Sequence, residues 1–97
     1  MPDDKPQLII SRKIERQMEK RGWTAELADQ TWAAPAMTRR ALNRAGNAEA
    51  TAYFRSDLSY IVVEDETNFV VQLSDRNNPQ WKPDASIADP PKRESGK

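Results

Sequence analysis

The chain has 97 residues and no net charge, because 15 Lys and Arg side chains balance 15 Asp and Glu side chains, and it holds neither Cys nor His. A chain of this length forms one small domain, and the missing residues exclude disulfides, thiolate nucleophiles, the usual zinc sites and imidazole catalysis. We expect any enzyme built from it to use Lys, Arg, carboxylate or hydroxyl groups, with no metal or other cofactor. An acidic start and short apolar runs predict no export signal and no membrane span.

Both ends of the chain are polar. Residues 83–97 hold three prolines and a single large apolar side chain, Ile87, which is too little apolar area to offset the entropy of ordering. We divide the chain into an N-terminal arm at residues 1–10, a folded domain at residues 11–82 and a disordered tail at residues 83–97.

The folded part begins with the pattern of a helix. Ser11 suits its N-cap, and Gly22 suits the C-cap of a helix that ends near Lys20. Ile14 and Met18 are four residues apart and therefore share the face that we expect to be buried.

A second, shorter helix is predicted to follow. Thr24 suits its N-cap, and it runs to about Trp32, shortly before Pro35. Residues 36–47 have no apolar period and contain three arginines, and we expect a loop there.

The second half of the chain predicts strands. Residues 50–54 suit a first strand, and the β-branched and aromatic runs at 59–64 and 69–74 suit a hairpin in which Asn68 takes a left-handed conformation. The fold class is therefore α+β, with N-terminal helices packed on a small twisted antiparallel β-sheet.

Positive charge is concentrated in the helical half. Lys13, Arg16 and Lys20 lie close together around the first helix, which is typical of a solvated face. Arg21 instead follows the apolar stripe. It either binds the last carbonyls of the helix or is held at the mouth of the core toward an anionic ligand.

The tryptophans differ in their surroundings. Trp23 and Trp32 lie where helix and sheet should meet, and we expect both in the core. Trp81 follows the last predicted strand in a polar loop. It either covers the end of the sheet or stacks on a base of single-stranded RNA.

Three segments resemble one known family. KIxxQMxxRGWT at residues 13–24, ATAY at 50–53 with YIVV at 60–63, and QLSDRNNPQW at 72–81 are similar to the ribonuclease domain of colicin E5 and its contact-dependent-inhibition relatives. The resemblance covers about residues 13–82. It implies the toxin fold that barnase-like and RelE-like proteins share.

The resemblance also implies an activity and a set of residues. Members are toxins that cut tRNA in the anticodon loop without a metal, by attack of the RNA 2′-hydroxyl to leave a cyclic phosphate. Lys13 and Arg21 match the catalytic cations of the family. The residues that match its RNA contacts are Gln17, Leu73, Ser74, Asp75, Arg76 and Trp81, and the arginines of the predicted loop, Arg39, Arg40 and Arg44, complete the expected substrate-binding set.

The residue types suit this chemistry. A lysine crowded by other cations gives up its proton more readily, so Lys13 is the predicted base. Arg21 is the predicted phosphate stabiliser, because a guanidinium stays charged and binds phosphate through two parallel hydrogen bonds. In a second scheme all the cations act electrostatically, and substrate positioning supplies most of the acceleration.

The central loop departs from the family pattern. It carries arginines but no match for the family's third catalytic lysine, and it reads NAEAT at residues 47–51 where the family usually has NDPAT. An arginine holds a phosphate but does not readily exchange a proton. The alternative function is a catalytically degenerate RNA- or protein-binding module of the same fold, and a structural domain with no nucleic-acid role is a third hypothesis.

Partners follow from the resemblance as well. We expect the tRNA anticodon loop as substrate and a cognate immunity protein or antitoxin, with an acidic surface that covers the cationic cleft. We expect no membrane partner, a monomer when free, and a cytoplasmic site of action, with delivery into a target cell as an open alternative.

Overall fold

Two helices precede four strands in the computed structural model of the chain, which describes residues 7–43, 47–78 and 80–88. The elements are α1 (Arg12–Arg21), α2 (Ala25–Ala33), β1 (Met37–Asn43), β2 (Ala48–Phe54), β3 (Tyr60–Glu64) and β4 (Val70–Leu73). The strands form one antiparallel sheet in the order β1-β2-β3-β4. The predicted α+β class, with helices ahead of an antiparallel sheet, is confirmed.

Both helices begin and end at residues that the sequence indicates. The Ser11 hydroxyl accepts a hydrogen bond from the Ile14 amide at 3.2 Å, and the Thr24 hydroxyl accepts one from the Leu27 amide at 3.0 Å. Gly22 closes α1 with φ 80°, a left-handed conformation that glycine adopts without steric cost. The two predicted helices are confirmed, each within a residue or so of its expected end.

The expected loop at residues 36–47 is wrong for most of its length. Met37–Asn43 form β1, and every residue of that strand is paired with one of β2. The burial of β1 alternates, but Ala41 is its one buried residue, and two adjacent arginines hide the period-2 pattern that would reveal a strand. Edge strands with one sparsely apolar face give this weak signal.

The hairpin between β3 and β4 has the expected turn. Asn68 adopts φ 65°, and a register shift between Val62 and Val63 marks a bulge in the pairing. A bulge locally increases the right-handed twist of the strands. The predicted hairpin and its left-handed asparagine are confirmed.

Each face of the sheet has its own core. Alternate residues of β3 point to opposite faces, so the helices cover one side and the chain after β4 covers the other. We call the first the helix-side core; it consists of Ile14, Met18, Trp23, Ala28, Ile61, Val63, Val70 and Leu73, with Trp32 packed partly buried against it. We call the second the strap-side core; it consists of Ala41, Ala50, Ala52, Phe54, Tyr60, Val62 and Ile87, with Trp81 packed against it.

Residues 80–88, here called the C-terminal strap, pack against the sheet. Ile87 is buried and forms an antiparallel bridge with Ala41, and hydrogen bonds join the Leu42 amide to the Ser86 carbonyl at 3.2 Å and the Ala88 amide to the β1 backbone at 2.9 Å. The structure thus differs from the expected disordered tail at residues 83–88, while residues 89–97 lie outside the described part. Composition alone misses a single isoleucine that docks on an unpaired strand edge.

The opposite edge of the sheet is also covered. Ile9 forms a parallel bridge with Phe69, and its backbone bonds to the Asn68 carbonyl at 2.9 Å and the Val70 amide at 3.0 Å. This segment belongs to the expected N-terminal arm, of which residues 1–6 lie outside the described part. Both edges of the sheet are therefore blunted, which limits edge-to-edge association.

Candidate active site

One row of side chains on α1 borders the helix-side core. Lys13, Gln17 and Arg21 follow one another at four-residue intervals, so they lie one above the other on the helix surface. Lys13 is exposed, whereas Gln17 and Arg21 are half-buried. Their Cα atoms span about 12 Å of helix axis. Both predicted catalytic cations therefore lie along one side of α1, the helix that packs against β4. Arg21 reaches that strand, whereas Lys13 is exposed two helical turns away.

Arg21 leaves the end of its own helix and reaches the sheet. Its Nη1 donates to the carbonyl of Leu73, the last residue of β4, at 2.8 Å. The guanidinium carbon lies 5.1 Å from the centroid of the Trp81 ring, within the range of a cation–π contact. Of the two interpretations of Arg21, the structure favours a cation held at the mouth of the core. The guanidinium has N–H groups with no acceptor among the described residues, and these remain available to an anion.

Tyr60 joins the sheet to the C-terminal strap. Its hydroxyl accepts hydrogen bonds from Trp81 Nε1 at 3.1 Å and from the Asp84 amide at 3.3 Å, and it donates to Gln72 Oε1 at 3.1 Å. Burial raises the pKa of Tyr60, against smaller opposing effects from these hydrogen-bond donors, so the hydroxyl keeps its proton at neutral pH. Trp81 is thereby held by its indole edge, with its ring toward Arg21.

The sequence pattern did not single out Tyr60 or Gln72. A tyrosine in a buried strand signals that its hydroxyl needs a partner. The pattern does not show which partner, because that depends on where the C-terminal strap crosses the sheet.

The segment after β4 uses its side chains internally. Leu73 and Ser74 are buried, the Ser74 hydroxyl accepts from the Tyr60 amide at 2.9 Å, and the Ser74 carbonyl accepts from Trp23 Nε1 at 2.7 Å. The Asp75 carboxylate accepts from the amide two residues further along at 2.9 Å. The structure brings these predicted RNA contacts beside Arg21, but it buries the side chains of Leu73 and Ser74.

Arg76 fastens this segment to the end of α1. Its Nη1 donates to the Gly22 carbonyl at 3.0 Å, and its guanidinium lies 5.7 Å from the centroid of the Trp23 ring and 3.6 Å from the Asp57 carboxylate. The Arg76 amide also donates to the Arg21 carbonyl at 2.9 Å. Arg76 is therefore close to Arg21 but has structural partners of its own.

Arg40 is held in a polar network on the other half of the sheet. Its guanidinium lies 2.7 Å from Asp65 and 3.2 Å from Glu49, and it donates to the Thr51 hydroxyl at 2.9 Å. The hydrogen bond from Arg40 lowers the pKa of Asp65, and the same bond raises the pKa of Arg40. Since β1 and β4 are the first and last strands, about 14 Å of sheet separates the backbone of Arg40 from the strand that Arg21 reaches.

The other arginines predicted to bind the substrate are also separate from the α1 row. Arg39 neighbours Arg40 on β1, so the two side chains point to opposite faces, and Arg39 Nη1 donates to a carbonyl of its own strand at 2.9 Å. Arg44 lies outside the described residues. The structure thus brings Arg21 and Trp81 together, with Gln17 and Lys13 one and two turns back along α1, and it pairs Arg40 with carboxylates away from them.

Two further properties bear on the class of site. Within residues 7–43, 47–78 and 80–88, no group of three or more Asp or Glu side chains is placed to share a metal ion. Over the same ranges, neither helix has the length and apolar character needed to cross a membrane.

The fold and the α1 row define a small α+β domain with a cationic site at the junction of its first helix and last strand. Comparison gives this domain its family: residues 10–86 match the Colicin E5 ribonuclease domain, and the chain belongs to that family.

Two relatives show the extent of the likeness. The chain is 31% identical over 88 residues to a protein named tRNA nuclease CdiA from Burkholderia pseudomallei, a match that covers 82% of this chain and 7% of that protein. It is 32% identical over 91 residues to Colicin-E5 from Escherichia coli, covering 84% of this chain and 51% of that protein. The chain thus spans about half the length of one relative and a small part of the other.

Proposed function

We propose that this domain is an endoribonuclease that cuts tRNA in the anticodon loop and acts as the toxic part of a bacterial competition system. Family membership supports the class of activity, and the names of the relatives, a tRNA nuclease and a colicin, support the substrate and the toxic role. The observation that carries the proposal is the position of Arg21. Its guanidinium is fixed between the Leu73 carbonyl and the Trp81 ring, on the same row of α1 as Lys13.

The proposed reaction needs no protein nucleophile. The RNA 2′-hydroxyl attacks the adjacent phosphorus, a new P–O2′ bond forms and the P–O5′ bond breaks, which leaves a 2′,3′-cyclic phosphate and a 5′-hydroxyl. Lys13 is the proposed base that takes the 2′ proton, and solvent supplies the proton for the 5′ oxygen. Arg21 donates to the phosphorane oxygens, where charge accumulates in the transition state.

RNA binding is proposed to centre on the same surface. Gln17 lies between the two cations on α1. The Arg21 guanidinium lies over the Trp81 ring in the free protein, and a base stacks on that ring when Arg21 turns to the phosphate. Because the side chains of Leu73 and Ser74 are buried, this segment contacts RNA through its backbone, with Asp75 and Arg76 at its exposed end.

The arginines near β1 have a peripheral part in the proposal. Arg39, Arg40 and Arg44 hold phosphates further along the RNA. In the free protein Arg40 binds Asp65 and Glu49. It has to release these carboxylates before it binds a phosphate.

The inhibitor of this domain is proposed to be an immunity protein or antitoxin with an acidic surface. Such a surface pairs with Lys13 and the free N–H groups of Arg21 and excludes RNA from the site. The domain is proposed to be a monomer when free and to act in the cytoplasm of a target cell, where tRNA is present.

Two observations favour a second function, an RNA- or protein-binding module without catalysis. No lysine stands where the family has its third catalytic lysine, and Arg40 is neutralised by two carboxylates. This module would bind tRNA with an affinity that falls as salt rises, and it would leave the RNA intact.

The test is cleavage of total tRNA by the purified protein in EDTA, with the cut ends mapped by sequencing. We expect cuts in anticodon loops, and a loss of rate of about 100-fold or more for Lys13→Ala and for Arg21→Ala. Arg12→Ala is the matched control, because Arg12 is exposed and lies half a turn around α1 from Arg21. Bound but intact tRNA would establish the second function, and equal rates for all three variants would refute the assigned residues.

A further inference from the structure

The carboxamide of Gln72 has a fixed orientation that the proposed reaction does not use. A tyrosine hydroxyl carries one proton and two acceptor sites. At Tyr60 both acceptor sites are taken, by Trp81 Nε1–H at 3.1 Å and by the Asp84 amide at 3.3 Å. The hydroxyl proton is therefore left for Gln72, and only the amide oxygen accepts it, at 3.1 Å.

This bond determines where the other half of the amide points. With Oε1 facing Tyr60, the Nε2 group is turned away from the buried hydroxyl, and it has no hydrogen-bond partner among the described residues. Gln72 is half-buried, so part of its side chain remains accessible to a ligand. It precedes Leu73, whose carbonyl binds Arg21, and it is anchored by the same Tyr60 hydroxyl as the Trp81 indole.

We propose that Gln72 is a specificity-determining residue that donates a hydrogen bond to a carbonyl oxygen of the base stacked on Trp81. The inference rests on the proposed function for the nature of the ligand, an RNA base. Guanine and uracil present a carbonyl oxygen on the edge where adenine and cytosine present an amino group. A donor that cannot turn into an acceptor distinguishes the two classes, since the wrong base leaves two donors facing each other.

Tyr60 is the positioning residue for this selection. A solvent-exposed glutamine rotates its amide and accepts either kind of base, so it discriminates little. Here the hydroxyl of Tyr60, which is fully buried, holds the amide in one of its two orientations. Trp81 and Gln72 are thus oriented by the same atom, the one to stack on a base and the other to read its edge.

Binding of uncleavable stem-loops tests this inference separately from catalysis. The probes carry 2′-deoxy nucleotides through the loop, with guanine exchanged for adenine, or uracil for cytosine, at one loop position at a time. We expect the parent protein to bind the carbonyl base about tenfold more tightly at one position. Gln72→Glu keeps an acceptor for Tyr60 and replaces the outward donor with an acceptor, so the preference should vanish or reverse.

Two further variants make the result specific. Gln30→Glu makes the same change in charge on the exposed surface of α2 and should keep the parent preference. Tyr60→Phe removes the anchoring hydroxyl, and its affinity ratio should fall toward one, with thermal unfolding followed to show that the fold remains. An unchanged ratio in Gln72→Glu, or equal changes in Gln72→Glu and Gln30→Glu, overturns the inference.

The two proposals fail in different ways. A parent protein that prefers carbonyl bases but never cuts 2′-hydroxyl RNA overturns the nuclease proposal and supports the role of Gln72. A protein that cuts tRNA while Gln72→Glu retains the base preference supports the nuclease and refutes that role.

Discussion

The two faces of the sheet are covered in different ways. The helix-side core is closed by two capped helices and contains large side chains such as Trp23, Ile61 and Leu73. The strap-side core places three alanines beside Phe54 and Tyr60, the two bulkiest fully buried side chains of the described residues, and is covered by a segment of nine residues outside the helices and strands, anchored by Trp81 and Ile87. The two faces therefore differ in the kind of element that covers them: capped helices that pack as units on one face, and on the other an irregular segment that also positions Trp81.

Isoleucines at matched depth on the two faces allow this difference to be measured. Ile61→Ala removes a fully buried side chain of the helix-side core, where both neighbouring layers are fixed and the cavity cannot collapse. We expect the free energy of unfolding to fall by about 3–4 kcal/mol. Urea denaturation followed by circular dichroism measures it, and a loss below about 1 kcal/mol would contradict the close packing of Ile61 in the helix-side core.

Ile87→Ala makes the same substitution on the strap side. Ile87 is also buried, but the strap can leave the sheet without unfolding the rest, so we expect a loss of only about 1–2 kcal/mol. Amide exchange should accelerate at Leu42 and Ala88, which bond across this contact, and remain slow in β3. A loss equal to that of Ile61→Ala would show that the strap belongs to the same cooperative unit as the helices.

The sequence predicts the helix side well because its signals are local. Caps at Ser11 and Thr24, the stripe of Ile14 and Met18, and the left-handed Asn68 each depend on residues within a few positions of one another. The pairing of Lys13 with Arg21 rests instead on the resemblance to the family, because helix periodicity alone places Lys13 with the solvated face and Arg21 on the apolar stripe.

The strap side was missed because its contacts are not local. Ile87 pairs with Ala41 and Trp81 bonds to Tyr60, and each partner is more than twenty residues away. β1 was missed for a related reason, because its pairing with β2 outweighs a weak local pattern. The orientation of Gln72 could not be predicted from the sequence either, because it requires the strap to bring two donors to the Tyr60 hydroxyl.

The smallest expected effect lies in the exposed polar network around Arg40. Asp65 is partly exposed and pairs with the more exposed Arg40, so Asp65→Asn should lower the free energy of unfolding at pH 7 by about 0.5 kcal/mol. Glu66→Gln neutralises a carboxylate in the same turn, one with no ion pair among the described residues, and should leave stability nearly unchanged.

The pH dependence of that effect has a definite sign. The bond from Arg40 holds the pKa of Asp65 below its usual value, so the folded state favours the carboxylate and the unfolded state takes up the proton first. The stabilisation is therefore complete above the unfolded pKa of about 3.9 and is lost as pH falls through the lower folded pKa. Urea titrations at pH 7 and near pH 2 should show the difference between parent and Asp65→Asn shrinking toward zero. A difference that persists in acid would mean that the Thr51 hydroxyl, which also binds Asp65 at 2.8 Å, holds the network together without the charge pair.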